Sequence, residues 1–591
     1  MYEFGSFRID SAERLLFRGE ELIPLTPKAI DTLLALLSQP GRVLEKDDLI
    51  KMVWRDSFVE EGGLARNISS LRKVFSDAGG DVQFIETIPK RGYRFVAPVK
   101  ETQSVVEGPV ERPQVLDLPP PPQPVPKTRF AWIAGAVLLV LTLTAAAFYF
   151  TGRLASSAPR FNSIVVLPLN HPSNDPGQEF FADGMTEELI NSLAKIEALR
   201  VISRTSAMTY KGARKPLPQI ARELNVDTVV EGSVTQSGGR VRITVQLFEA
   251  RTERQLWAQS YEQGLRDVLT LQSELATAIA REIRVKLTPG EKQRLASVRT
   301  VDPEAYLAYS YGRFHWNSRT PEGFQKGIEQ FQRAIAKDPS YAPAYAGLAD
   351  VFALLGSIGI DALPPREVMP KAKAAALQAV KLDETLAEGH TSLGYALLSY
   401  DWDLAGAERE FKRAIELNPG YATAHHWYAH YFLAKARLLE AMTEMKRAQA
   451  LDPFSPSINM GVGWCLYHAR RYDEAIAQYR ATLEMMPAFS LAHGTLGMAY
   501  AQKGLHAKAI AEFEKASELA GSTSFATFGL VYTKGLAGMH AEVRKALAAL
   551  EKASSQRYVP AVYRAAIYAA IGDKNASIEW ANKAYDERSD Y

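Results

Sequence analysis

The sequence predicts a multidomain protein, α+β in its first half and all-α in its second. Strand patterns and three amphipathic helical stretches fill the first hundred residues, an uncharged apolar run of 23 residues follows a proline-rich segment, and a period of 34 residues governs the chain after residue 303. At 591 residues there is room for about three to five domains. Hydrophobic content of 47% and charged content of 23% belong to globular protein and exclude wholesale disorder. Net charge is +2, so any case for nucleic acid must be local. The single cysteine, Cys465, excludes an intrachain disulfide and any cysteine-built zinc or iron–sulfur site. Charges run throughout residues 1–30, which is unlike a secretory leader.

Residues 1–100 open with strand patterns at Tyr2–Ile9 and Leu15–Phe17. Thr26-Pro27 then supplies a cap and a first-turn proline for a helix that turns Ile30, Leu33, Leu34 and Leu37 inward. Gly41 breaks it, and Lys46–Trp54 predicts a second helix with Leu49, Ile50 and Val53 inward. In Gly63–Ser76, Leu64, Ile68, Leu71 and Phe75 share one face at helical spacing, and the opposite face carries Arg66 and Lys73 beside Ser69 and Ser70. A hairpin ends the segment, Phe84–Ile88 and Tyr93–Val96 around Pro89-Lys90-Arg91-Gly92. Charge is unevenly divided: residues 1–61 hold 8 basic and 12 acidic groups, residues 62–100 hold 7 and 3. A helix with a basic outer face followed by a hairpin tipped with Lys-Arg suits insertion into a DNA groove with flanking phosphate contacts. The plain alternative is a solvated basic face on a small domain.

These residues resemble the OmpR/PhoB-type winged helix-turn-helix. The motifs that carry the resemblance are Leu25-Thr26-Pro27-Lys28, Pro40-Gly41-Arg42-Val43-Leu44, Ile68-Ser69-Ser70-Leu71-Arg72-Lys73 and Ile85 through Phe95, which span nearly the whole segment. The resemblance implies that the Gly63–Ser76 helix reads the major groove, that the hairpin is the wing, and that the loop Arg55–Gly62 meets RNA polymerase. Candidate DNA-binding residues are Arg66, Asn67, Ser69, Ser70, Arg72 and Lys73 on the helix, with Lys90 and Arg91 on the wing. Ser69 and Ser70 stand where many relatives carry larger contacting side chains, so base preference does not transfer.

Residues 101–128 hold eight prolines, including Pro119 to Pro122, and read as an extended linker of up to about 85 Å. Phe130–Gly152 follows, within a predicted transmembrane helix over 129–152, with Lys127, Arg129 and Arg153 flanking it and Trp132, Phe148 and Tyr149 near its ends. A winged helix that opens the chain with no receiver domain, then a linker and a span, resembles the CadC/ToxR-type membrane-anchored regulators. That resemblance implies a single pass through the bacterial inner membrane, with a cytoplasmic amino terminus and an extracytoplasmic carboxyl-terminal region.

Residues 160–290 alternate strand and helix. Strands are expected at Ile164–Leu169, Val201–Ser203, Val229–Val234, Val241–Phe248 and Leu256–Tyr261, and helices at Met185–Ala198, Gln219–Leu224 and Arg266–Leu287. A small α/β domain with a partly antiparallel sheet follows. Ala182 through Glu188, Glu231-Gly232-Ser233-Val234 and Leu256-Trp257-Ala258 resemble the TolB-like domain found ahead of helical repeats. Asp183 and Glu187 are expected as acids at a helix start, where the dipole favours them.

From 303 to 591 an alanine recurs at Ala334, Ala379, Ala414, Ala448, Ala516 and Ala584, with Thr482 and Leu550 as the departures at the equivalent positions and steps of 45, 35 and then 34. A second position fifteen residues on is Ala349, Gly394, Ala429, Gly463, Gly497, Val531 and Ala565. Two small positions per period let paired helices approach, and Pro339, Pro419, Pro453 and Pro487 end them. The pattern resembles tetratricopeptide repeats, about eight in all, a solenoid whose concave face binds peptides or proteins. His426 and His430 lie i, i+4 on one helix but are expected as ordinary surface histidines, with no third ligand for a metal.

No phosphate loop, nucleophile elbow or kinase motif occurs, so no catalytic residue, cofactor or metal is expected. The readings describe a one-component transcription regulator whose partners are double-stranded DNA, the lipid bilayer, RNA polymerase, a protein or peptide in the repeat groove, and a second copy as a homodimer. It would sense a protein, peptide or envelope signal outside the cytoplasm. The alternative is a membrane-tethered repeat scaffold whose winged helix does not bind DNA.

Overall fold

In the computed structural model the described residues are 2–10, 15–19, 21–23, 25–53, 61–76, 84–88, 91–101 and 161–589, less 173–175, 297–299, 318, 358–362, 521–523 and 556–557. They fall into two compact units, one within Met1–Leu138 and one within Leu139–Tyr591. The expected transmembrane stretch, the proline linker and most of the loop Arg55–Gly62 lie outside the described residues. Among the described residues no helix is long and apolar enough to cross a membrane.

The first unit begins with β1 (Tyr2–Phe4), β2 (Phe7–Asp10), β3 (Leu15–Arg18) and β4 (Glu21–Ile23), an antiparallel sheet in the order β4-β3-β2-β1, closed by β8 (Lys100–Glu101) beside β1. The single strand expected over Tyr2–Ile9 is a hairpin instead. Gly5 takes φ +57°, and Phe4 pairs with Phe7 across the turn. Helix α1 (Pro27–Leu37) starts as expected, with the Ala29 amide donating to Thr26 Oγ1. Its inward set is Ile30, Leu33, Leu36 and Leu37, with Leu34 only half-buried. α1 packs against α2 (Lys46–Val53), α3 (Glu61–Ser76) and the strand β7 (Gly92–Phe95), so its apolar stripe is wider than one neighbour requires. Strand β5 (Val43–Glu45) joins β7, which pairs with β6 (Ile85–Ile88). Phe4, Phe7, Phe75, Phe84 and Phe95 fill the centre, with ring centroids 5.0 Å apart for Phe75–Phe84 and 5.1 Å for Phe4–Phe95.

The second unit opens with a five-stranded sheet of β9 (Ser163–Val166), β10 (Arg200–Val201), β11 (Thr228–Ser237), β12 (Arg240–Glu249) and β13 (Arg254–Gly264), ordered β10-β9-β11-β12-β13. β9 is parallel to both neighbours, and β11, β12 and β13 run antiparallel, which is the partly antiparallel sheet expected. Helix α4 spans Pro176–Ala194, starting well before the expected Met185. Asp183 and Glu187 therefore sit inside the helix, buried, and not at its dipole-favoured start. They hold charge partners: Lys211 Nζ donates to Asp183 at 2.8 Å, and Arg204 Nε lies 3.2 Å from Glu187.

Helix pairs run from Pro303–Asn317 with Pro321–Lys337 to Ala561–Ala570 with Lys574–Glu587, eight pairs among the described residues. The small positions seat aromatic rings of the partner helix. A Cβ on Gly463 would lie 2.4 Å from the Tyr479 ring, and one on Gly497 would lie 2.9 Å from Phe513. A second repeating device was not read from the sequence. His390, His425, Asn459 and His493 hold equivalent places, and each side chain reaches the carbonyl six residues earlier, on Glu384, Pro419, Pro453 and Pro487. The histidines also meet Glu410, Glu444 and Glu512 through Nδ1 at 2.6–2.7 Å. These contacts fasten the entry of each first helix to its own repeat.

The α/β domain is joined to the array through buried polar contacts. Arg313, on Pro303–Asn317, donates to Glu187 of α4 at 2.8 Å and to Asp350 at 3.3 Å, and Ser392 donates to the same aspartate. Burial raises the Glu187 carboxyl, but the Arg313 and Arg204 guanidiniums overcome that and hold it below the usual range. Burial prevails at Asp350, which is pushed up to about 6. Farther along, the Gly420 amide donates to Ala194 O, and Ser206 donates through N and Oγ to Asp452 Oδ1 at 3.0 and 2.6 Å. Removing Arg313 would take one cation from two buried carboxylates, leaving Glu187 with Arg204 and Asp350 with the Ser392 hydroxyl. Arg313→Met is expected to destabilise this unit by about 3–5 kcal/mol, whereas Lys337→Ala, which breaks an exposed pair with Glu304, costs under about 1 kcal/mol. Urea denaturation of both variants checks the contrast.

Candidate nucleic-acid interface

Helix α3 is placed by its apolar face, where Leu64, Ile68, Leu71 and Phe75 are buried as the spacing predicted. Two of its polar residues complete the placement. Asn67 Nδ2 donates to Lys28 O and to Thr32 Oγ1, both at 3.0 Å, while Lys28 Nζ donates to Val53 O at 2.6 Å. One small network thus links α3, α1 and the end of α2. Arg72 donates to Ile85 O at 2.9 Å and to Thr87 Oγ1 at 2.7 Å, so the helix is fastened to the first strand of the β6–β7 hairpin. Both side chains are candidates for DNA contact, and within the domain their hydrogen bonds position α3.

The hairpin is held at its base. Gly92 pairs with Glu45 of β5, and a Cβ there would lie 1.9 Å from Leu44 O, so only glycine permits the approach. The Lys46 amide donates to Arg91 O at 3.2 Å, and Arg94 forms a two-bonded pair with Glu86 at 3.0 and 2.6 Å. Of the remaining candidates, Ser69 is exposed on α3 and Arg91 is exposed where the hairpin turns. Arg66, Ser70 and Lys73 lie on α3, and Lys90 lies outside the described residues. The structure therefore brings a helix and a hairpin turn together on one rigid frame, the geometry that inserts a helix into a major groove and sets a wing on the backbone.

Away from this domain, the histidines expected at the surface are half-buried. His426 Nε2 and His430 Nε2 lie 3.3 Å apart on Ala422–Ala434. Burial lowers both rings below the usual imidazole range, His430 to about 4. They sit on the first helix of a pair, flanked by Gly461 of the next first helix, Pro456–His468, which is why they do not reach bulk water as a free surface pair would.

Residues 19–95 match the family described as transcriptional regulatory protein, C terminal, and residues 403–456 and 457–522 match the tetratricopeptide repeat. The Transcriptional activator CadC of Escherichia coli (strain K12) is 34% identical over 125 residues, 21% of this chain and 24% of that protein. The Transcriptional regulator HilA of Salmonella typhi is 22% identical over 465 residues, 78% of this chain and 72% of that one. A protein of Rhizobium meliloti (strain 1021) named Putative adenylate cyclase 3 is 36% identical over 239 residues, and the match spans 40% of each chain. An amino-terminal winged helix joined to carboxyl-terminal repeats is thus the arrangement of a CadC-like regulator with tetratricopeptide repeats.

The positioning role separates Arg72 from its neighbour on the outer face. Arg72→Ala is expected to destabilise the winged helix by about 1–2 kcal/mol, chiefly through the lost donor to the buried Ile85 carbonyl, while Ser69→Ala stays within about 0.5 kcal/mol. Chemical denaturation of the two variants, followed in the first unit, measures the difference.

Proposed function

We propose that this CadC-like chain is a membrane-anchored one-component transcription regulator. The observation that carries the DNA-binding part is the frame just described: α3 locked to α1 by Asn67 and to the hairpin by Arg72, with Ser69 and Arg91 left outward. On this reading α3 enters the major groove of double-stranded DNA, with Arg66, Ser70 and Lys73 beside Ser69, and Lys90 and Arg91 meet the backbone from the wing. The apolar run Phe130–Gly152 anchors the chain as a single pass, with the winged helix on the cytoplasmic side. RNA polymerase is met by the loop Arg55–Gly62.

The repeat array is the sensing element. Its first helix pairs are engaged by the α/β domain through Arg313, Gly420 and Asp452, so the surface for a protein or peptide ligand falls on the later pairs. Ligand binding there shifts dimerisation or local concentration at paired half-sites, and the winged helix reads that shift as occupancy.

Phosphate contacts have a salt signature. In the full chain, Lys73→Ala and Arg91→Ala should each weaken binding to a promoter duplex about equally across sequences and reduce the salt slope by about one. Unchanged isotherms for both variants would remove α3 and the wing as the interface.

A further inference from the structure

We infer that His426 and His430 form a two-imidazole site for zinc on the fourth helix pair of the array. The two residues lie one helical turn apart on Ala422–Ala434, so their rings share a face, and their Nε2 atoms converge to 3.3 Å. Zinc–imidazole bonds are about 2.0–2.1 Å, so nitrogens at that separation subtend about 107° at the metal, close to the tetrahedral angle. A right-angled copper or nickel site needs the nitrogens nearer about 2.9 Å, which makes zinc the better fit. Without metal one Nε2 donates to the other; moving that proton to Nδ1 of its own ring leaves both Nε2 lone pairs for one ion.

Gly461 of the neighbouring helix lies beside His426, where a Cβ would stand 3.4 Å from its Nε2 and 2.7 Å from Met445 Cε. Among the described residues no group of three or more His, Cys, Asp or Glu is placed to hold a metal, so the two remaining positions fall to water or to a donor from a bound partner. Arg319 adds like charge near His426, and His468 does so near His430. The site is consequently weaker than a closed four-ligand centre. It lies in the second unit and does not depend on the DNA-binding reading.

Zinc titrated into the full chain, followed by calorimetry, tests the site. One zinc per chain is expected, with His430→Gln losing at least tenfold in affinity and the exposed His540→Gln binding as the native chain does. A second measurement needs no variant: zinc should shield His426 and His430 from diethyl pyrocarbonate, mapped by peptide mass spectrometry, while His540 reacts at an unchanged rate. Identical zinc uptake by the native chain and His430→Gln, no saturable uptake at all, or equal modification of His426 and His430 with and without zinc would each overturn the assignment.

Discussion

Arg313 sets the register of a boundary that one apolar core also crosses, from Leu189 and Leu275 of the α/β domain to Tyr306 and Phe331 of the helix pairs. Its guanidinium lies between Glu187 of the α/β domain and Asp350 of the second helix pair, and Ser392 of the third pair completes the aspartate's partners. Close packing resists sliding, and a buried carboxylate adds a directional requirement, because it is satisfied only in the register in which its donors are present. Gly420, Asp452 and Ser206 repeat the logic some distance along the array, with the backbone of Ala194 and the Ser206 amide as partners. The α/β domain and the first helix pairs therefore behave as one body.

The winged helix follows the same economy in a smaller space. Its aromatic centre fixes the fold, but polar side chains on α3 set where the helix points: Asn67 against α1 and Arg72 against the hairpin. A helix that reads DNA must present a surface without moving under it, so part of its polar complement is spent inward. Gly92 and the Arg94–Glu86 pair do for the hairpin what Arg72 does for the helix.

Local signals were legible in the sequence, and long-range pairings were not. Thr26-Pro27 marked the start of α1, the Leu64 to Phe75 spacing marked the buried face of α3, and the 34-residue period located the helix pairs, because each depends on neighbours a turn or a repeat away. Leu36 was passed over for Leu34 because three neighbours surround α1, a fact no heptad discloses. Asp183 and Glu187 looked like helix-start acids; their partners Lys211, Arg204 and Arg313 lie 28, 17 and 126 residues away in the chain. The hydrogen bonds of Asn67 and Arg72 to α1 and the hairpin were hidden for the same reason, since polar groups on a basic helix face give no sign of bonding inward. The histidine series 390, 425, 493 was visible as spacing, but its carbonyl and glutamate partners emerge only with the fold.

In the proposed regulator the winged helix and the repeat array work from opposite sides of a membrane, and topology tests that proposal most directly. Cys465 is buried and its thiol is pushed up to about 12, so it stays unreactive toward maleimides and can be left in place. Ser555→Cys adds an exposed thiol at the end of His540–Ser554. Intact spheroplasts treated with a membrane-impermeant maleimide should label that cysteine without lysis. Labelling only after lysis would place the array in the cytoplasm beside the DNA and contradict signalling through Phe130–Gly152.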